Sequence, residues 1–206
     1  HLEVEGSLAL TMRMGEALDR SLAPGGDEHE KRLLRLGLPT GKYWICKRTP
    51  CHAYEARECL GGNGVTEEFI MARLYRDAPI NAIWEGSGNV QALDMLRALG
   101  RSPEVLETWF SDLDKTRGAS AQLDSAVSAL QQAITDPDEV EDRARRRVAQ
   151  LALTMQASPL LQAGEPSVAD AFIASRLDLA GERNSGTLPR GLDTTTILAR
   201  ADPHRS

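Results

Sequence analysis

The chain has 206 residues, 41% hydrophobic and 26% charged, with a formal net charge of −6. That length suffices for one sizeable domain or two small ones. The acidic balance argues against a phosphate-neutralising nucleic-acid binder, and no apolar run approaches the ~20 residues that cross a bilayer. Aromatics are only 4% while Leu and Ala recur, and such a mixture favours helix over strand. The expected fold class is all-α. Cys46, Cys51 and Cys59 form no CxxC pair and read as free thiols of a reducing cytoplasm; no metal site is expected. The opening His1-Leu2-Glu3-Val4-Glu5 has neither a basic nor an apolar leader region and reads as the interior of a longer chain.

In chain order, a first helix is expected from about Leu2 to Leu22. Leu8, Met12, Gly15, Leu18 and Leu22 recur at three- and four-residue steps and form its apolar face. Pro24-Gly25-Gly26-Asp27 breaks it. A helical stretch from Glu28 to about Leu60 follows, either kinked or divided by Pro39 and Pro50. Gly61-Gly62-Asn63-Gly64 ends it. A short helix over Glu67–Leu74 comes next, then an irregular stretch to Gly88. Another helix starts near Asn89 with Val90, Leu93, Leu96 and Leu99 inward. After Gly100 the chain alternates helices with capped breaks. Ser102-Pro103 and Asp136-Pro137 are helix-start signatures. Val148, Leu151 and Met155 share one apolar face, and Glu165-Pro166 opens a helix ending near Gly181. The tail from Glu182 is weakly specified. The expected organisation is a helical bundle over 1–100 and a second, small helical unit over 101–206.

Two segments are not explained by packing. Glu58-Cys59-Leu60-Gly61-Gly62-Asn63-Gly64 runs a helix into a glycine-rich loop that exposes backbone amides. By itself such a loop is more often a simple helix stop. Ile83-Trp84-Glu85-Gly86-Ser87-Gly88-Asn89 sets a carboxylate between an aromatic and a glycine, just before a helix N-terminus. A base that removes a carbon-bound proton needs to be held close to it and shielded from water. The plain alternative is a surface glutamate.

Taken together, residues 58–99, "ECLGGNGVTEEFIMARLYRDAPINAIWEGSGNVQALDMLRAL", resemble the signature stretch of acyl-CoA dehydrogenases. The GGxG helix end, the Arg76-Asp77 pair and the aromatic-Glu-Gly-Ser motif occur in order and at matching spacing. With the upstream Lys42–Arg48 segment "KYWICKR", the pattern is most similar to the AidB-type branch, associated with the adaptive response to DNA alkylation. The resemblance implies an acyl-CoA dehydrogenase carboxy-terminal helical bundle working with FAD on an acyl-CoA. Glu85 matches the base that takes the α-proton while the β-hydrogen leaves as hydride. Gly61, Gly62 and Gly64 match the loop approaching the ADP half of FAD from a neighbouring subunit. Ser87 and Asn89 match further cofactor-binding positions, and Arg76 matches a structural ion-pairing residue. Glu58 stands where many members have Gln, Trp84 where Tyr is usual, and Gly88-Asn89 where Ser-Gln is commoner. The family's other domains build most of the pocket, so this chain by itself is expected to be inert.

Two other classes of function stand beside the enzyme. A DNA-binding module is suggested by the branch, but after Gly100 there are 12 Lys and Arg against 16 Asp and Glu, a net charge of −4. Only Arg143 to Arg147 is locally basic, and it reads as a solvated face with Glu139–Arg143 and Glu141–Arg145 pairs. A structural unit that forms a homo-oligomer, dimer or tetramer, is compatible with the enzyme reading.

Overall fold

The computed structural model describes residues 1–136, 138, 140–163, 165–177 and 185–204. These form helices α1 (Leu2–Leu22), α2 (Glu28–Glu58), α3 (Ile70–Asp77), α4 (Gly88–Arg101), α5 (Glu104–Leu113), α6 (Ala121–Thr135), α7 (Ala144–Gln162), α8 (Pro166–Arg176) and α9 (Thr194–Ala201). Short 3-10 turns cover Gly61–Gly64, Ala78–Ala82 and Asp114–Thr116. Among the described residues there is no strand, so the fold class is all-α.

Two long helices organise the rest. α2 is one helix of 31 residues despite Pro39 and Pro50. It starts cleanly because the Asp27 carboxylate accepts hydrogen bonds from the amides of His29 and Glu30. It survives its prolines because α1, α4, α5 and α7 all pack on it, and tertiary burial outweighs one missing backbone bond per proline. α7 is buried nearly all round. Val148, Leu151 and Met155 are in the core as expected, but Ala152, Leu153, Gln156 and Ala157 on its other faces are equally inaccessible.

The phase of α1 differs from the expected one. Its buried side is Leu2, Gly6, Leu10, Met14, Ala17 and Ser21. Leu8, Met12, Leu18 and Leu22 are 54%, 65%, 49% and 76% exposed. The reason is close approach: a Cβ at Gly6 would stand 2.5 Å from Phe172 Cε2, and one at Gly37 of α2 would strike the Met14 sulfur. Small side chains on one face let the helices come together, and the larger apolar side chains are left outside. α4 behaves likewise. Ala92, Met95 and Ala98 are buried, Leu96 and Leu99 are half-buried, and Val90 and Leu93 are exposed.

One apolar core joins the first hundred residues to the rest. Leu10, Leu33, Leu36 and Met95 share it with Trp109, Leu130, Leu151 and Met155. Beside it, Arg13 of α1 bridges two buried carboxylates. It donates to Glu30 at 2.8 and 3.2 Å and to Asp112 of α5 at 2.8 and 3.1 Å. Burial works to raise the Asp112 carboxyl, but hydrogen bonds from Arg13 and Lys115 outweigh it and hold the group below its ordinary value.

Several local expectations are corrected. α3 begins at Ile70 rather than Glu67 and runs to Asp77. α7 begins only at Ala144, so Glu141 precedes the helix and cannot form a helical pair with Arg145; Glu139 and Pro137 lie outside the described residues. Arg143 pairs with Asp136 at 3.7 Å, and Arg147 is buried, donating to the Asp136 carbonyl at 2.7 Å. α8 ends at Arg176; its expected end near Gly181 lies outside the described residues. The tail carries α9, capped by Asp193 and tied to α1 through Arg200–Glu5 at 2.9 Å.

Candidate functional site

The glycine-rich loop continues directly from α2. Its three glycines have different physical reasons. Gly61 adopts φ +58, the left-handed region that glycine occupies without penalty. Gly64 is pressed against α2, where a Cβ would lie 2.2 Å from the Arg57 carbonyl oxygen. Gly62 has nothing within 4 Å of where a Cβ would be, so the fold does not need glycine there. The Arg57 guanidinium lies 4.2 Å from the Tyr75 ring centre and 5.1 Å from that of Tyr54. A hydrogen bond to Glu58 raises the Tyr54 hydroxyl above its ordinary pKa.

The carboxylate segment is held from two directions. Lys42 of α2 donates to the Asn81 carbonyl, pinning the 3-10 turn that leads into Trp84 and Glu85. Arg76 closes on Glu67 with an exposed ion pair, Nη2 to Oε2 2.9 Å. Glu85 then takes φ +56 and is the one non-glycine residue with positive φ among those described; Gly86 follows at φ +105. The Gln91 side-chain amide, from the first turns of α4, donates to the Glu85 carbonyl at 2.9 Å and to the Gly86 carbonyl at 3.4 Å. Glu85, Ser87 and Asn89 are exposed, as are Ile83 and Trp84 at 62% and 58%. The described residues therefore place Glu85 on an open surface, with Trp84 exposed beside it.

Ser87 precedes α4 without using its side chain as a cap, so it leaves the first-turn amides uncapped at the positive end of the helix dipole. Gly88 is buried at this end. Its missing Cβ would lie 3.1 Å from Lys47 Cδ and 3.6 Å from Arg145 Nη2. A cation from α2 and one from α7 thus flank the start of α4. The glycine loop is not brought to this point. Lys47 and Glu58 are eleven residues apart on α2, about 16 Å at the helical rise of 1.5 Å per residue. Among the described residues no His, Cys, Asp and Glu group could hold a metal ion.

Lys42, Lys47, Gln91 and Arg145 are the residues sequence reading missed as parts of this site. Lys42 and Lys47 sit in the "KYWICKR" segment, but nothing in one-dimensional spacing shows which carbonyl or helix end a lysine meets.

The helical fold is that of an acyl-CoA dehydrogenase carboxy-terminal domain. Residues 1–100 match the family described as acyl-CoA dehydrogenase, C-terminal domain, and that stretch belongs to the family. It is 37% identical to AidB of Escherichia coli (strain K12) over 180 residues, covering 87% of this chain and 32% of AidB. It is 29% identical to acyl-CoA dehydrogenase family member 11 of Caenorhabditis elegans over 133 residues, 65% of this chain and 22% of that protein. The crystal structure of Caenorhabditis elegans ACDH-11 in complex with C11-CoA superposes with a TM-score of 0.70 at 27% identity, over 84% of this chain and 32% of that one. The chain therefore spans about a third or less of the length of these relatives. The AidB match is long enough to reach well past residue 100.

Proposed function

We propose that this chain supplies the base and part of the flavin cradle of an FAD-dependent acyl-CoA dehydrogenase, and that it is inert without the remainder of the length its relatives carry. The observation behind this reading is Glu85, a carboxylate on strained left-handed backbone, presented at the head of α4 in a chain of this family. Strain of this kind costs of the order of 1–3 kcal/mol and clusters at functional sites.

The residues present suit the cofactor. Ser87 and Asn89 stand exposed at a helix start with free amides, and Lys47 and Arg145 add positive charge beside it. Gly61 and Gly62 form a backbone surface that a phosphate can approach closely while Gly64 closes the loop on α2, and the 16 Å offset along α2 suits a loop that serves a neighbouring copy. FAD, when bound, supplies the hydride acceptor. Glu85 takes the α-proton of the acyl-CoA; as the α C–H bond breaks onto the carboxylate and the β-hydrogen leaves as hydride, the α,β double bond forms. The anionic carboxylate needs a dry surrounding to act as a base. The apolar Ile83 and Trp84 beside it are the surface on which a covering domain would exclude water.

The test uses a chimera with residues 1–206 in place of the matched stretch of ACDH-11, loaded with FAD and mixed anaerobically with a panel of acyl-CoAs. Bleaching of the flavin by the chimera and its loss in Glu85→Gln are the expected results. Retained flavin with no bleaching in either overturns the assignment of Glu85.

A second reading, homo-oligomeric assembly, is favoured by the exposed stripe Leu8, Met12, Leu18 and Leu22 on α1. Met12→Glu would then reduce the sedimenting size, and a wild-type chain that sediments as a monomer at all concentrations would sink it. For DNA, Arg143, Arg145 and Arg146 remain exposed of the basic run, with Arg143 paired to Asp136, too few for the phosphate contacts that dominate such binding. No helix among those described is long and apolar enough to cross a membrane, and the three cysteines are unbridged. We place the protein in the cytoplasm on the strength of those thiols.

A further inference from the structure

The strained carboxylate segment is closed by a side chain to which neither the motif nor the chemistry above assigns a role. Glu85 and Gly86 hold consecutive positive φ values, +56 and +105. For glutamate the first is a conformation that an L-residue leaves unless something holds it there. What holds it is the carboxamide of Gln91. It spans back from α4 to donate to both carbonyls, of Glu85 at 2.9 Å and of Gly86 at 3.4 Å. The same nitrogen would lie 2.4 Å from a Cβ at Gly86, so the amide also occupies the room that a side chain there would need. Gln91 itself is fixed, since its backbone amide donates to the Ser87 carbonyl at 3.0 Å as α4 begins. Upstream the segment is pinned separately by Lys42 at Asn81. The loop is thus gripped before and after Glu85, and Gln91 is the grip that touches the strained residue.

We propose that Gln91 is the positioning residue for Glu85: its side-chain amide holds the 85–86 backbone left-handed and so sets where the carboxylate points. The inference rests on the proposed role of Glu85 for its functional consequence, but not for its structural one. A carboxylate at position 91 has nearly the same shape and cannot donate, so Gln91→Glu removes the clamp while keeping the volume. Gln91→Ala removes both.

Two measurements separate this inference from the enzyme reading. In the full 206-residue chain, solution NMR of Glu85 reads φ directly, since positive φ gives a strong intraresidue HN–Hα cross-peak. Wild type is expected to show it and both Gln91 variants to lose it, with the rest of the spectrum unchanged; a Gln91→Ala chain that keeps it overturns the proposal. In the FAD-loaded chimera, Gln91→Ala and Gln91→Glu are expected to slow flavin bleaching about 10- to 100-fold, the range expected for small misplacement of a reacting group, with acyl-CoA affinity unchanged. An unchanged bleaching rate overturns the positioning role. A chimera that never bleaches, with Glu85 shown left-handed by NMR and released in the variants, removes the dehydrogenase reading and leaves the clamp standing.

Discussion

The interior built on α2 and α7 and the edge formed by residues 60–93 obey different rules. In the interior, large side chains such as Trp109, Leu151 and Met155 are inaccessible, and Arg13 is matched by two buried carboxylates. Along the edge, Phe69, Ile70, Leu74, Ile80, Ile83, Trp84, Val90 and Leu93 are all 42% exposed or more. The edge is seated through small buried residues, Ala72, Ala78 and Ala92, and tied by polar contacts from Lys42, Arg76 and Gln91. The interior is closed by its own side chains, whereas the edge carries exposed apolar side chains and the one strained non-glycine backbone among the described residues. The difference separates the scaffold from the proposed site: the packed half fixes α2 and the start of α4, and the open half presents Glu85 from them.

The sharpest way to test this contrast is to break the interior charge network. Asp112→Ala leaves Arg13 partly unpaired beside the core and should cost about 3–5 kcal/mol in urea unfolding. Next come two leucines of α1 two residues apart. Leu10→Ala should cost about 2–5 kcal/mol. Leu8→Ala, at a site 54% exposed, should stay within about 0.5 kcal/mol. Equal effects would mean that the phase of α1 is wrong and the contrast with it.

Acid should expose the same network. The folded Asp112 carboxyl titrates below its unfolded value. Its contribution is therefore fully present above the unfolded carboxylate pKa of about 3.9 and is lost as pH falls through the lower, folded one. Wild type should lose stability relative to Asp112→Asn as pH drops below about 4; parallel curves would show that the carboxylate is not held as described.

At the edge the effects on stability shrink. Gly64→Ala, forced against the Arg57 carbonyl, should cost about 1–3 kcal/mol. Gly62→Ala meets nothing within 4 Å and should leave thermal unfolding unchanged. If Gly62 faces the cofactor, flavin retention by the chimera should fall all the same. A change in stability without a change in retention would turn that glycine into a plain structural residue.

The helical class, the punctuation at Pro24–Asp27 and the stop at Gly61–Gly64 were legible from residue type and spacing alone, and the motif around Glu85 from its resemblance to a known family. These are local properties: propensity, capping and the conformational freedom of glycine act over a few residues. The phase of α1 was not legible. Leu8, Met12, Gly15, Leu18 and Leu22 form one stripe, and Leu2, Gly6, Leu10, Met14, Ala17 and Ser21 form another with the same period. Periodicity shows that a stripe exists, and only the approach of α2, α7 and α8 to Gly6 and Met14 chose which one is buried. The unbroken course of α2 through two prolines and the all-round burial of α7 were decided the same way, by neighbours far away in sequence. So was the clamp. Glu85 could be named from its motif, but its left-handed backbone and the grip of Gln91 exist only once α4 has turned back over the loop.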